Sequence, residues 1–273
     1  MTEDALGYGW ISYFPSLAFV ISSISVVRYL KSELSLTVVV FSIILSIYFA
    51  FLSTGRTFFL MLFSLIVFPL IIMKCIRFKG LLIASFILII FFALIAFMTA
   101  KGLSDNSSTG ENIETFLSNL RGYIISPMVA MGQLFDTKVS FSLGSNTFRF
   151  FYAVASKMGF DITIPPLIRD SVYVPDETNV FTVFDPYFRD FSVFGVVLFS
   201  FIILLIHFYL YIKMLRRGGP YIFFYSAILF ALIMQFFQDM YFSLFSQWVQ
   251  IFFWFWLLVR KFKMRKMVFN RVC

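Results

Sequence analysis

Apolar residues run along this chain in long, nearly unbroken blocks separated by short polar segments, a pattern unlike the one-sided stripe of a soluble helix. A helix rises about 1.5 Å per residue and the hydrocarbon layer of a bilayer is about 30 Å thick, so a block of roughly 17 to 25 apolar residues predicts a spanning helix. Seven blocks qualify: Gly9 to Val27, Leu34 to Leu52, Thr57 to Met73, Leu81 to Met98, Phe191 to Ile212, Tyr221 to Phe237 and Met240 to Val259. The last two nearly fuse, but basic clusters before ("KMLRR") and after ("RKFKMRK") require two crossings if both face the cytoplasm. The expected fold is therefore all-α, a polytopic transmembrane bundle of about seven spans. Residues 1–98 would hold spans 1–4, 99–190 an outer loop, 191–259 spans 5–7, and 260–273 a basic cytoplasmic tail.

The loop breaks the pattern, because it spans about ninety residues where the other connections are under ten. Ser108 and Glu111 match a capping box ahead of a helix from about Asn112 to Ile125, with Pro127 as its stop. "SNTFRFFYAVASKMG" predicts a second short helix, capped by Asn146 or Thr147 and ended by Gly159. Both would lie against the membrane surface or pack into the mouth of the bundle.

Composition agrees with a membrane setting: 60% of the residues are hydrophobic, 13% are charged and 41 are phenylalanine. Charge then orients the bundle. The clusters "RYLKSE", "KCIRFK", "KMLRR" and the tail hold 14 of the 22 Lys and Arg but a single acid, Glu33. That segregation places them in the cytoplasm, with the N-terminus outside and the C-terminus inside. The opening "MTEDALGYGW" is acidic where a signal peptide would be basic. One histidine, His207, excludes a multi-histidine metal site by counting, and Cys75 and Cys273 are expected as free thiols.

Positive charge on the outer face runs against this orientation. Arg121, Arg149, Arg169 and Arg189 lie in the loop, and Arg56 sits in the outward connection "STGRT". A guanidinium makes paired, charge-assisted hydrogen bonds to phosphate and stays protonated, so five such residues point to an anionic ligand. A single arginine reads equally well as a headgroup anchor. Asp170, Asp176, Glu177, Asp185 and Asp190 crowd the 21 residues before the fifth span, where an acid beside an acceptor hydroxyl could act as general base. The same acids could instead be solvated or paired with Arg169 and Arg189. If "DPYFRDF" begins a helix with Pro186 at its first position, Asp185 at the cap and Arg189 form an i,i+4 pair. Gln235, Gln238, Asp239, Gln247 and Gln250 would line the floor of an outward cavity, or hydrogen-bond between helices.

The segment "TNVFTVFDPYFRDFSVFG", Thr178 to Gly195, resembles the motif of Wzy-type O-antigen polymerases. There a Thr-Asn-aromatic-Thr run is followed by an aromatic pair, an aspartate and a glycine entering a span. "GSNTFRFFYAVASKMG" resembles the loop segment before that motif, and "STGRTFFLMLF" the arginine-bearing entry into a span. The likeness covers roughly Ser53 to Val259.

The resemblance implies a GT-C-like polymerase or ligase architecture. It implies glycosyl transfer on the outer face of a bacterial inner membrane, from a growing glycan on undecaprenyl diphosphate to the non-reducing sugar of a lipid-linked repeat unit. No metal, nucleotide or other cofactor is implied. Arg149, Arg169 and Arg189 would be catalytic, neutralising the departing diphosphate, with Glu177 or Asp176 as base. Arg56, Arg121, Asp176, Asn179, Phe181, Asp185, Tyr187 and Asp190 would bind substrate, Phe181 and Tyr187 by stacking on sugars. The implied partners are undecaprenyl-diphosphate-linked oligosaccharides, membrane lipids, a flippase and a chain-length regulator, with no nucleic acid. Members of the family commonly have ten or more spans, so an N-terminally shortened member is expected. An O-antigen ligase would share the architecture. A transporter or flippase would instead show ionisable groups at mid-membrane and internal repeats, which these spans lack.

Overall fold

The computed structural model describes residues 13–53, 56–76, 79–80, 82–83, 86, 125–136, 141–166, 168–174 and 177–261. The capping box at Ser108 and nearly all of the predicted span Leu81 to Met98 lie outside them.

The described elements are overwhelmingly helical. In chain order they are α1 (Phe14–Leu30), α2 (Leu36–Leu52), α3 (Arg56–Ile72), a helical stretch at residues 125–136 (α4) and α5 (Arg149–Lys157). Next come the strands β1 (Val172–Tyr173) and β2 (Glu177–Thr178), then α6 (Asp185–Arg217), α7 (Pro220–Ile233) with a 3₁₀ turn Met234–Phe236, and α8 (Phe245–Lys261). The strands form a two-residue antiparallel ladder, Val172 opposite Thr178 and Tyr173 opposite Glu177, which apolar patterning does not predict.

Helix α6 is long and apolar enough to cross a membrane, and only 22% of its most apolar window is buried. A core helix of a soluble protein would be covered on most sides; this one exposes Phe194, Val197, Phe201, Leu204 and Phe208. Helices α1, α2, α3 and α7 with its 3₁₀ turn are apolar but shorter. Residues 240–244, counted above as the start of a span, are not helical, and the connection between α7 and α8 runs through them.

The chain divides into two compact units. The first comprises residues 1–88, 207–230 and 246–273. Within it α1, α2 and α3 pack on one another. Small buried serines let their backbones approach: Ser22 and Ser46 share a hydroxyl hydrogen bond at 2.8 Å, and Ser23 donates to the Leu65 carbonyl. Gln247 of α8 is buried here and donates to Met61 Sδ, and Phe223 stacks on Phe255 at 4.9 Å. Cys75 is disulfide-bonded, not the free thiol expected from the sequence.

The second unit comprises residues 89–206 and 231–245, and it holds most of the candidate site. Its α4 is described from residue 125 to 136 with Pro127 near that start, and the predicted helix ahead of this proline, from about Asn112, lies outside the described residues but for Ile125. Helix α5 ends as expected: Gly159 adopts φ 95°, and the Phe160 and Gly159 amides donate to Ala155 and Ser156 carbonyls, a Schellman closure. Its start differs. Phe148 occupies the cap without a side-chain bond, because the Asn146 and Thr147 backbone is drawn instead to Asp190.

Candidate functional site

The sequence "DPYFRDF" does begin a helix, and the first two turns of α6 form a separate platform. At Ser192 the backbone leaves the helix (φ 58°, ψ −154°), a conformation that L side chains rarely adopt, and then the long apolar rod resumes. The turn folds tightly enough that a Cβ on Gly195 would lie 2.6 Å from Phe191 Cβ and would collide with the Tyr187 carbonyl oxygen. Only glycine allows that approach.

Two apolar clusters fix the platform. On one side Phe188 packs with Ala130, Met131 and Leu134 of α4 and with Val174 and Phe181, its ring 4.5 Å from that of Phe135. On the other, Tyr187 stacks on Phe199 at 4.9 Å and meets Phe242 edge-on. Consecutive side chains of one short helix, Tyr187 and Phe188, are thereby buried in different clusters, which leaves Asp185, Arg189 and Asp190 with defined directions.

Asp185 collects two guanidiniums. Arg189 Nε donates to Oδ1 at 2.5 Å, and Arg169 Nε, from the strand-flanking loop, donates to Oδ2 at 2.9 Å. The carboxylate side chain is 8% exposed, while those of Arg169 and Arg189 are 18% and 25% exposed. The acid lies beneath and the cations reach outward. Arg189 is also stacked over the Phe181 ring, 5.2 Å from its centroid, which restricts its orientation further. Two guanidiniums thus share one carboxylate. Both arginines use Nε toward Asp185, and among the described residues neither Nη of Arg189 nor Nη2 of Arg169 bonds to protein. Those are the donors a planar guanidinium offers to an incoming oxyanion.

A second line of bonds returns to the same helix. Arg169 Nη1 donates to Asn146 Oδ1 at 2.8 Å, and Asn146 Nδ2 donates to Asp190 Oδ1 at 2.8 Å. The Asn146 and Thr147 amides also donate to Asp190, at 3.2 and 2.6 Å. Asp190, 1% exposed, is therefore consumed in holding the turn before α5 and cannot bind substrate as the resemblance implies. Asn146, read from the sequence only as a helix cap, is the cross-link between Arg169 and Asp190.

Tyr187 is likewise corrected. It is fully buried and offers no face to a sugar; its hydroxyl donates to Asp239 Oδ1 at 2.9 Å. Asp239 also accepts from the amides of Tyr241, Phe242 and Ser243 and from the Ser243 hydroxyl, all between 2.9 and 3.2 Å. Burial raises the Asp239 pKa, and the converging hydrogen bonds offset this only in part. The Tyr187 hydroxyl is the donor in its bond to Asp239. Phe181 is 4% exposed beneath Arg189, so it supports the guanidinium and offers no sugar platform.

The other expected residues are scattered. Arg149 opens α5 and donates from Nε to the Pro165 carbonyl at 2.8 Å. Glu177 is exposed on β2, its side chain without a hydrogen bond or ion pair among the described residues, and Asn179 is exposed beyond it. Arg121, Asp176 and the Arg56 side chain lie outside the described residues. Of the polar floor, Gln235 donates to the Tyr241 hydroxyl at 3.1 Å within the second unit, while Gln247 and Gln250 belong to the first. No family model, curated protein or solved structure matches this chain.

Proposed function

We propose that this chain is a multi-pass membrane polymerase of about seven spans that joins lipid-diphosphate-linked oligosaccharide repeat units on the outer face of a bacterial inner membrane. The observation that carries this reading is the pair Arg169 and Arg189, both oriented by Asp185 with terminal N–H groups directed away from it. Glycosyl transfer breaks the bond between the anomeric carbon and the diphosphate oxygen, while an acceptor hydroxyl bonds to that carbon and loses its proton. Negative charge grows on the leaving diphosphate, and fixed donors aimed at it lower the barrier without reorganising. Glu177 is the proposed proton acceptor and Arg149 a further phosphate contact; the segregation of charge along the sequence supports the outward placement of the loop.

The test is complementation of a polymerase-deficient strain, with glycan length read on a gel. Arg189→Ala at normal protein level should leave single repeat units attached and abolish long chains. Long chains made by that variant would remove the assignment. Loss of all attached glycan would indicate a ligase.

A further inference from the structure

We propose that α5 is an interfacial helix whose apolar face lies in the outer lipid surface and anchors the loop there. The inference rests on the membrane reading of α6 and is independent of the glycosyl-transfer chemistry.

Three observations carry it. First, α5 is amphipathic on a helical period: Phe151, Val154 and Met158 are 51%, 42% and 72% exposed, and their spacing of three and four puts them on one stripe. Phe160, just past the closing Gly159, extends the stripe at 60% exposed. Water does not favour such a stripe on a nine-residue helix, whereas lipid does. Second, the depth fits if the rod enters lipid where it resumes, at Val193. Phe148, the cap residue of α5, packs against Phe199 at 5.8 Å. Phe199 lies six residues beyond Val193, where the rod resumes after the break, so α5 begins about 9 Å along it. Helices that lie in the plane of a membrane bury their apolar faces about 5–10 Å into the headgroup and acyl boundary. Third, the surface at that level on α6 is already apolar and uncovered: Phe194, Val197 and Phe201 are 70%, 64% and 56% exposed. The stripe of α5 therefore continues a surface that itself requires lipid. Lys157, also exposed, stands at the edge of the stripe, where a long basic side chain reaches the headgroups.

The consequence is mechanical. An anchored α5 holds the turn at Asn146, and through it Asp190 and Arg169, at a fixed height above the acyl chains. A site for a lipid-linked diphosphate needs that height.

The experiment uses the full chain in native membranes, with Met158→p-benzoylphenylalanine, Val154→p-benzoylphenylalanine and, as a reference on the rod, Phe201→p-benzoylphenylalanine. After irradiation, intact mass should show a shift of one phospholipid at all three positions, with little at the half-buried Ala155. Phospholipid adducts at Phe201 but not at Met158 or Val154 would overturn the inference and leave the membrane reading standing. Adducts at none of them would overturn both. Cross-links from Met158 or Val154 to protein would assign the stripe to a protein partner and also overturn it.

Discussion

Tyr187 and Asp239, 52 positions apart, are joined by a hydroxyl-to-carboxylate hydrogen bond of 2.9 Å in a fully buried setting. It ties the platform bearing Arg189 to the connection before α8. Tyr187→Phe keeps the ring stacked on Phe199 and removes only this donor, which should cost about 1.5–3 kcal/mol, the usual worth of a hydrogen bond to a charged group. Asp239→Ala should cost more, because three backbone amides lose their acceptor as well. Thermal unfolding in detergent should rank the variants in that order, and the double variant should lose less than the sum.

The Asp239 pKa predicts a pH dependence. Its folded-state value lies above the ordinary 3.8, so between those two values the folded chain holds more protons than the unfolded one. Stability from this group is then full below 3.8 and is lost as pH rises through the raised folded value. Melting temperature measured against pH should fall across that window, and Asp239→Asn should flatten this part of the curve. A slope unchanged in Asp239→Asn would mean that another group is responsible.

Asp185 presents two arginines at once, and Lys cannot reproduce that geometry. Arg189→Lys or Arg169→Lys keeps the charge but loses the Nε contact and the planar fork. Each should shorten glycan chains strongly, by about 10- to 100-fold in polymerisation rate if the donors act on developing charge. Asp185→Asn should be impaired as well, because the arginines lose their common anchor. Chain-length distributions at matched protein levels would check all three.

Asn146 should behave as a positioning residue. Asn146→Asp sets a second carboxylate beside Asp190, where the Asn146 side-chain nitrogen now donates. The variant should unfold at lower temperature, with partial recovery in Asn146→Asp/Asp190→Asn, which restores one acid and one amide. Absence of recovery would show that the backbone amides of Asn146 and Thr147, and not this side chain, set the contact.

Backbone strain at Ser192 gives the final prediction. Ser192→Gly should stabilise the fold by about 1 kcal/mol, since glycine adopts φ 58° without penalty. Gly195→Ala should do the reverse, and severely, because its new methyl group would meet backbone. Thermal unfolding of the pair would separate strain from packing.

What the sequence determined is what depends on local pattern. Long apolar blocks gave helices. Spacing gave the Asp185–Arg189 pair, and a glycine after a short helix gave the end of α5. Other features required contacts that no local pattern records. Arg169 reaches Asp185 from 16 positions away, Asn146 reaches Asp190 from 44, and Tyr187 finds Asp239 from 52. Such pairs arise because a buried polar group must find a partner wherever the fold brings one within about 3 Å. The same requirement withdrew Asp190 and Tyr187 from ligand binding. Composition can say that a residue is polar and near the membrane; only packing decides whether its hydrogen bonds are left for a ligand or spent on the protein itself.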